Sequence, residues 1–203
     1  LINGGKEIVH WSERDGWGHF YLYDEKGTLI RQITSGAWHA EDIEGIDETG
    51  RVLFFSANEK EKNEDPYFNH LYRVNLDGSN MKLLNPGEFD NQVSMGDSKR
   101  FFINNLSRVN TIPVSVLFDN TGKQIIPLEK ADFTSLFEAG YKFPEPFKVK
   151  ADDGITDLYG VIYKPCDFDS TKKYPLIEYV YPGPQTEAVN KAFGRGMDRT
   201  DRL

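Results

Sequence analysis

The sequence is poor in cysteine and in long hydrophobic runs. Cys166 is the only cysteine among 203 residues, so no disulfide can form within the chain and the redox compartment stays undetermined. No uninterrupted apolar run approaches the ~20 residues that a membrane-spanning helix needs. The first residues show no initiator Met, basic region or apolar core of a secretion signal, and they begin in the middle of a pattern. We therefore expect a piece of a longer protein.

Positive charge is also scarce, and this restricts the partners that we expect. The net charge is -8, and no basic cluster is longer than two residues, as at Lys172-Lys173. A phosphate backbone requires a basic face, so the composition argues against a nucleic-acid partner. With 38% hydrophobic and 13% aromatic residues, the chain has the composition of a folded globular protein.

Complete catalytic motifs are missing as well. No serine lies in G-x-S-x-G, and G-x-G-x-x-G, P-loop and H-E-x-x-H motifs are absent. The four histidines are scattered and lack metal-ligand spacing, so we expect structural roles for His10, His19, His39 and His70. The sequence predicts neither a metal nor any other cofactor.

What the sequence does contain is a degenerate repeat through roughly the first 130 residues. Its best-kept part is a strand, an Asp/Asn and Gly turn, and a second strand. The copies lie at residues 19–33, 70–84 and 114–126, with further strands before each copy at 7–11, 42–55 and 92–103. Four short antiparallel strands about every 45 to 50 residues indicate β-propeller blades. The sequence predicts two complete blades and most of a third, whose first strand would precede residue 1.

After residue 128 the pattern changes. Residues 129–140 are predicted to form a short helix or linker, and residues 141–146 an extended, proline-containing segment. A hairpin is expected from 147–151 and 158–165. The apolar run at residues 174–181 predicts a buried strand that Pro182 and Pro184 terminate, which places Tyr181 at its carboxyl end. Helices are expected over 186–193 and from 197 onward.

Several polar stretches are candidates for chemistry. In Ser12-Glu13-Arg14-Asp15-Gly16-Trp17 the carboxylates could form an acid/base pair, but surface groups that are solvated or paired with Arg14 are the better interpretation. The same holds for Glu41, Asp42 and Glu44. The charged insertion at residues 58–66 could reach a substrate or partner, and we expect a solvated loop.

The ordered set of motifs resembles the dipeptidyl peptidase IV branch of the prolyl oligopeptidase family of serine peptidases. After the blades come D-G-x-x-x-L-x-G-x-x-x-x-P from Asp153, then K-K-Y-P, then Val180-Tyr181-Pro182-Gly183-Pro184, similar to the family's V-Y-x-G-P. Residues 12–17 resemble its S-E-R-D-G-W segment, and residues 34–38 its T-S-G-x-W segment. The resemblance covers essentially the whole chain.

The resemblance implies a mainly β chain with the last blades of a β-propeller, followed by the first strands of an α/β-hydrolase domain. It implies a Ser-Asp-His triad beyond Leu203 and removal of N-terminal Xaa-Pro or Xaa-Ala dipeptides from a peptide substrate. The Tyr181 hydroxyl would stand in the oxyanion hole, as the catalytic contribution of this chain. An extracytoplasmic location follows from the resemblance alone.

Three features depart from the family or lie beyond the chain. The triad is absent, so the chain alone should be inactive. The paired glutamates that bind the substrate's amino terminus would precede residue 1, and no substrate-binding residue is identified here. Pro182 replaces a small residue. A non-catalytic propeller scaffold, or an endopeptidase or acylaminoacyl peptidase of the same architecture, therefore stays open as an alternative.

We expect three regions along the chain. Residues 1–135 form the C-terminal part of the propeller, 136–146 a linker and 147–203 the beginning of the hydrolase domain. Open blade edges and apolar faces favour association, so a homodimer is one expected state.

Overall fold

A computed structural model describes residues 1–180 and 189–194. The chain divides into two compact units. The first comprises Leu1–Leu106 and Val114–Glu129, and the second comprises Ser107–Pro113 with the described residues from Lys130 onward. Each unit is described by itself below.

The first unit begins with an antiparallel sheet of β1 (Glu7–Ser12), β2 (His19–Asp24) and β3 (Leu29–Gln32), in that order. A short 3-10 turn over Asn3–Gly5 precedes it. Between β2 and β3 the Asp24 carboxylate accepts the backbone N–H groups of Lys26 and Thr28 at 2.9 and 2.8 Å, and Gly27 adopts φ +79°. The side chain thus fixes the turn, as expected for an Asp-initiated turn.

The second sheet has four antiparallel strands in chain order: β4 (His39–Asp47), β5 (Val52–Asn58), β6 (His70–Asn75) and β7 (Lys82–Leu83). The register of β4 against β5 shifts near Ile43, as at a β-bulge. Residues Val52 to Phe55 are almost completely buried. A strand that is buried on both faces needs a neighbour on each side.

The third sheet repeats the same plan with β8 (Asp90–Met95), β9 (Phe101–Ser107), β10 (Val114–Asp119) and β11 (Gln124–Lys130). Its β10–β11 turn repeats the aspartate turn, because the Asp119 carboxylate accepts the N–H groups of Thr121 and Lys123 at 2.8 and 3.0 Å. The predicted four-stranded repeat is confirmed, with three described strands in the first sheet.

Aromatic side chains fill the space between successive sheets. Phe55 lies 5.6 Å from Phe20 of the first sheet and 5.7 Å from Tyr72 of its own sheet, and Trp38 stacks 6.1 Å from Phe55. A second cluster joins Phe54, Leu71 and Leu84 to Phe102 of the third sheet. Face-to-face stacking of this kind buries both sides of the middle sheet, as in a propeller blade.

The second unit contains α1 (Thr134–Glu138) and a hairpin of β12 (Glu145–Lys150) and β13 (Asp157–Ile162). The hairpin was predicted, whereas the helix is shorter than residues 129–140. Beside the helix is an aromatic cluster in which Phe133 lies 4.9 Å from Phe193. Its other members are Phe137, Tyr141 and Phe143.

The predicted buried strand at residues 174–180 is not formed. These residues pair with no strand, and Leu176 and Ile177 are 83% and 79% exposed. Within the described part of the chain, β12 and β13 pair only with each other, so this run has no partner strand to bury it. The helix predicted over 186–193 is also wrong for residues 189–193, which are not helical, whereas 186–188 and 197–203 lie outside the described residues.

Candidate functional site

Tyr181, the predicted oxyanion donor, lies outside the described residues. The chain is described up to Val180, which is 64% exposed, and again from residue 189. From residue 189 onward, Val109 donates its N–H to the Lys191 carbonyl at 3.0 Å, and the Phe193 N–H donates to Ser107 Oγ at 3.0 Å. The role of Tyr181 stays a prediction.

A cluster of titratable side chains at the start of β4 is centred on His39. Its Nδ1 lies 3.0 Å from Glu41 Oε1, and its Nε2 lies 3.4 Å from Glu13 Oε1. The Glu41 carboxylate also accepts a hydrogen bond from Asn58 Nδ2 at 2.7 Å. The Glu13 side chain is 61% exposed, so the cluster is open to solvent on that side.

Local structure explains how these groups meet. His39 and Glu41 are two residues apart on one strand, which places both side chains on the same face. The Trp11 indole donates to the Ala40 carbonyl at 2.7 Å and its ring lies 5.7 Å from His39. A Cβ at Gly18 would lie 2.8 Å from the His39 ring, so only glycine at this position leaves room for the imidazole.

This cluster was missed by the sequence interpretation, which treated His39 as one of four structural histidines. The alternation of His39 and Glu41 was the available signal, but Glu13 is brought in only by the tertiary fold. Chemically, a carboxylate on each ring nitrogen fixes the imidazole's orientation and gives the surface a negative character.

The carboxylates of the loop at residues 12–17 are exposed surface groups, as the sequence predicts, but Asp15 has partners other than Arg14. Asp15 Oδ2 accepts hydrogen bonds from Gln32 Nε2 at 2.8 Å and from the Tyr21 hydroxyl at 3.2 Å. The Gln32 hydrogen bond is the main cause that holds the pKa of Asp15 below its usual value. Arg14 instead lies over the Tyr21 ring at 4.2 Å and donates to the Tyr23 hydroxyl. Asp15 is therefore not an ion-pair partner of Arg14.

Glu44 behaves differently from the solvated carboxylate that we expected. Burial raises its pKa, a nearby hydrogen bond from Ser56 opposes that shift, and the charge of Asp42 adds to it. Ionisation of Glu44, on the first strand of the second blade, is therefore opposed by the loss of hydration.

The charged insertion at residues 58–66 is solvated only in part, because Glu59, Lys62 and Asn63 are exposed whereas two of its carboxylates contact the blade. Glu61 accepts a 2.6 Å hydrogen bond from the Tyr72 hydroxyl, and Glu64 lies 2.6 Å from His70 Nε2. Lys60 Nζ lies 5.1 Å from the centroid of the Trp38 ring. Burial is the largest cause that raises the pKa of Tyr72, followed by its hydrogen bond to Glu61. Two carboxylates therefore fold back onto the blade, and composition alone gave no sign of it.

His19 has the structural role that the sequence predicts. It is fully buried, its Nδ1 lies 3.1 Å from Thr34 Oγ1, and its Nε2 lies 3.0 Å from the Gly36 carbonyl. Among the residues that the structure describes, no group of three or more His, Cys, Asp or Glu side chains could hold a metal ion. No described helix is long and apolar enough to cross a membrane.

The described sheets define the fold class of the chain. The chain is mainly β, built from successive antiparallel sheets that stack as propeller blades. Residues 1–113 match the family model of the dipeptidyl peptidase IV (DPP IV) N-terminal region. The chain belongs to this family.

Relatives with assigned names agree with the family. The chain is 32% identical over 181 residues to human dipeptidyl peptidase 8, a match that covers 79% of this chain and 19% of the relative. It is 30% identical over 200 residues to a probable dipeptidyl-aminopeptidase B of Aspergillus fumigatus, covering 94% of this chain and 21% of the relative. The chain thus spans about a fifth of the length of these relatives.

Solved structures with dipeptidyl peptidase names are also similar to this chain. A crystal structure of Porphyromonas gingivalis dipeptidyl peptidase 4 matches with a TM-score of 0.67 and 28% identity, over 86% of this chain and 24% of that one. A putative dipeptidyl aminopeptidase IV from Bacteroides ovatus matches with a TM-score of 0.74 and 27% identity, over 97% of this chain and 30% of that one.

Proposed function

We propose that this chain is part of a serine-type dipeptidyl peptidase that removes N-terminal Xaa-Pro or Xaa-Ala dipeptides. In this proposal residues 1–135 belong to the propeller, 136–146 link it to the catalytic domain, and 147–203 begin that domain. The nucleophilic serine and its Asp and His partners lie in the sequence after Leu203. The relatives' names as dipeptidyl peptidases carry the proposal, because their matches cover 79% to 94% of this chain.

Within this reaction, the Tyr181 hydroxyl donates a hydrogen bond to the oxyanion of the tetrahedral intermediate. A phenol suits that task because its O–H donates while its ring is held by apolar packing. Such a donor acts where negative charge develops on the former carbonyl oxygen, so it stabilises the transition state more than the bound substrate. The motif Val180-Tyr181-Pro182-Gly183-Pro184 supports this assignment.

The test is Tyr181→Phe in the full-length protein, assayed with a chromogenic Xaa-Pro amide. Loss of one oxyanion donor lowers kcat by about 10²- to 10³-fold, equivalent to ~3–4 kcal/mol, with little change in KM. Tyr179→Phe is the matched control, because it removes the hydroxyl of a nearby tyrosine and should leave kcat unchanged. An unchanged kcat for Tyr181→Phe would overturn the assigned role.

The alternatives are separated by two further observations. A propeller scaffold without activity would lack G-x-S-x-G in the roughly hundred residues after Leu203 and would not react with an organophosphorus serine reagent. An endopeptidase or acylaminoacyl peptidase would cleave substrates with a blocked amino terminus, whereas a dipeptidyl peptidase requires a free one. We also propose that the 203-residue chain can form a homodimer through its open blade edges, which sedimentation of that chain tests.

A further inference from the structure

The contact between Glu64 and His70 is buried and short. The side chains of His70 and Glu64 are 2% and 9% exposed, and Nε2 lies 2.6 Å from Oε1. Glu64 belongs to the insertion at residues 58–66, and His70 is the first residue of β6. The pair therefore fastens the insertion to the second blade, beside the 2.6 Å hydrogen bond between Glu61 and Tyr72.

The other side of the imidazole determines how many protons the pair holds. His70 Nδ1 lies 3.3 Å from the Asn85 carbonyl oxygen and 3.4 Å from Asn91 Nδ2. Both hydrogens of Asn91 Nδ2 are already committed, because this amide donates to the carbonyls of Asn69 and Phe89 at 2.7 Å each. Its Oδ1 accepts from Asn104 Nδ2 at 2.8 Å, which fixes the orientation of the amide. Nδ1 must therefore carry a hydrogen and donate it to Asn85.

With Nδ1 protonated, the 2.6 Å contact at Nε2 needs a proton of its own. A neutral ring would direct a lone pair at the carboxylate oxygen, which is repulsive at this distance. Either His70 is an imidazolium that faces the Glu64 carboxylate, or Glu64 is protonated and donates to Nε2. Both descriptions hold one proton more than a neutral histidine beside an ionised glutamate.

We propose that Glu64 and His70 form a proton-held clasp that fastens the insertion at residues 58–66 onto the second blade and loosens as the pH rises. Loss of the shared proton leaves a buried carboxylate that no longer faces an imidazolium. Glu61 in the same loop and Glu88 in the β7–β8 connection add negative charge beside Glu64, and Asp90 at the start of β8 faces His70. An unprotonated pair therefore has no favourable arrangement in this site.

The shift in the pKa of Glu64 has the direction that the proposed clasp requires. Burial is the largest cause that raises the pKa of Glu64, the His70 charge opposes it, and Glu61 and Glu88 add to it. A group whose pKa is raised by folding stabilises the fold while protonated and loses that contribution as the pH rises through its folded pKa. The clasp is thus closed while the pair holds its shared proton, and it opens as the pH rises through the folded pKa of the pair.

Limited trypsin digestion of the full-length protein measures the opening. Lys62 lies at the exposed tip of the loop, whose ends are joined by the hydrogen bond from the Glu59 N–H to the Pro66 carbonyl at 2.9 Å. When reclosing is faster than cleavage, the cleavage rate follows the open population. Relative to a free peptide of residues 57–67, cleavage after Lys62 should rise by up to about tenfold per pH unit once the shared proton is lost.

Glu64→Gln is the decisive variant, because its amide can donate to a neutral Nε2 without any additional proton. Its cleavage rate should stay flat with pH. Glu61→Gln retains an acceptor for Tyr72 and keeps the pH dependence, shifted to lower pH because one negative neighbour is removed. A flat wild-type profile, or an equal rise with pH in Glu64→Gln, would each overturn the proposal.

Discussion

The second blade and the β12–β13 hairpin are both antiparallel and both carry alternating apolar residues, yet they differ in burial. Leu53 and Phe55 of the blade are fully buried, whereas Phe147, Val149 and Leu158 of the hairpin are 46–49% exposed. Strand pairing in both comes from local sequence, but burial comes from neighbouring sheets. The blade has a sheet stacked on each face, and the hairpin has no further strand among the described residues.

The largest expected difference is between Phe55→Ala and Phe147→Ala. Removing the Phe55 ring leaves a cavity between Phe20, Trp38 and Tyr72 and should lower the free energy of unfolding by about 3–5 kcal/mol. At the half-exposed Phe147 the loss should stay below about 1 kcal/mol in the 203-residue chain. Urea unfolding measures both. Equal losses would contradict the comparison, and a larger loss for Phe147→Ala in the full-length protein would show that other residues cover the hairpin there.

A smaller difference is expected between two turn glycines. Gly122 at the β10–β11 turn has φ +83°, and a Cβ would lie 2.7 Å from the Leu84 carbonyl oxygen. Gly154 in the hairpin turn has φ +68° and nothing within 4 Å of a Cβ. Gly154→Ala should cost about 1 kcal/mol for its backbone conformation, and Gly122→Ala roughly 1–3 kcal/mol more because of the clash. Thermal unfolding compares them, and similar costs would mean that Leu84 moves aside freely.

The smallest effect concerns Glu44, whose pKa is raised by burial. Its folded pKa lies above the unfolded value of about 4.3, so ionisation opposes folding once the pH exceeds that value. Glu44→Gln should therefore raise the melting temperature modestly at pH 7 and leave it unchanged below about pH 4. Glu25→Gln, at an exposed carboxylate in the turn between β2 and β3, is the control. A gain that persists at low pH would contradict a pKa origin.

The blades could be predicted from sequence because their information is local. Alternation in residues 19–24 and 70–75 and the Asp and Gly turns after them give strand, turn and register without reference to the rest of the chain. The β12–β13 hairpin could be predicted for the same reason. These features require only near neighbours.

What could not be predicted depends on distant residues. The apolar run at 174–180 has the composition of a buried strand, but composition does not supply the strands beside it. The charged insertion has the composition of a solvated loop, yet His70 and Tyr72 accommodate its carboxylates. The approach of Glu13 to His39 joins residues 26 positions apart. Tyr181 lies outside the described residues, so its predicted role rests on the motif.

The aspartate turn that recurs between the last two strands of the blades has a consequence for assembly. Asp24 and Asp119 each hold their own hairpin through hydrogen bonds that span at most four residues. Asp77 does the same for the N–H and hydroxyl of Ser79. The hydrogen bonds that align each hairpin therefore lie inside its own blade. The register of one blade is set independently of the sheets stacked beside it, even though its burial depends on them.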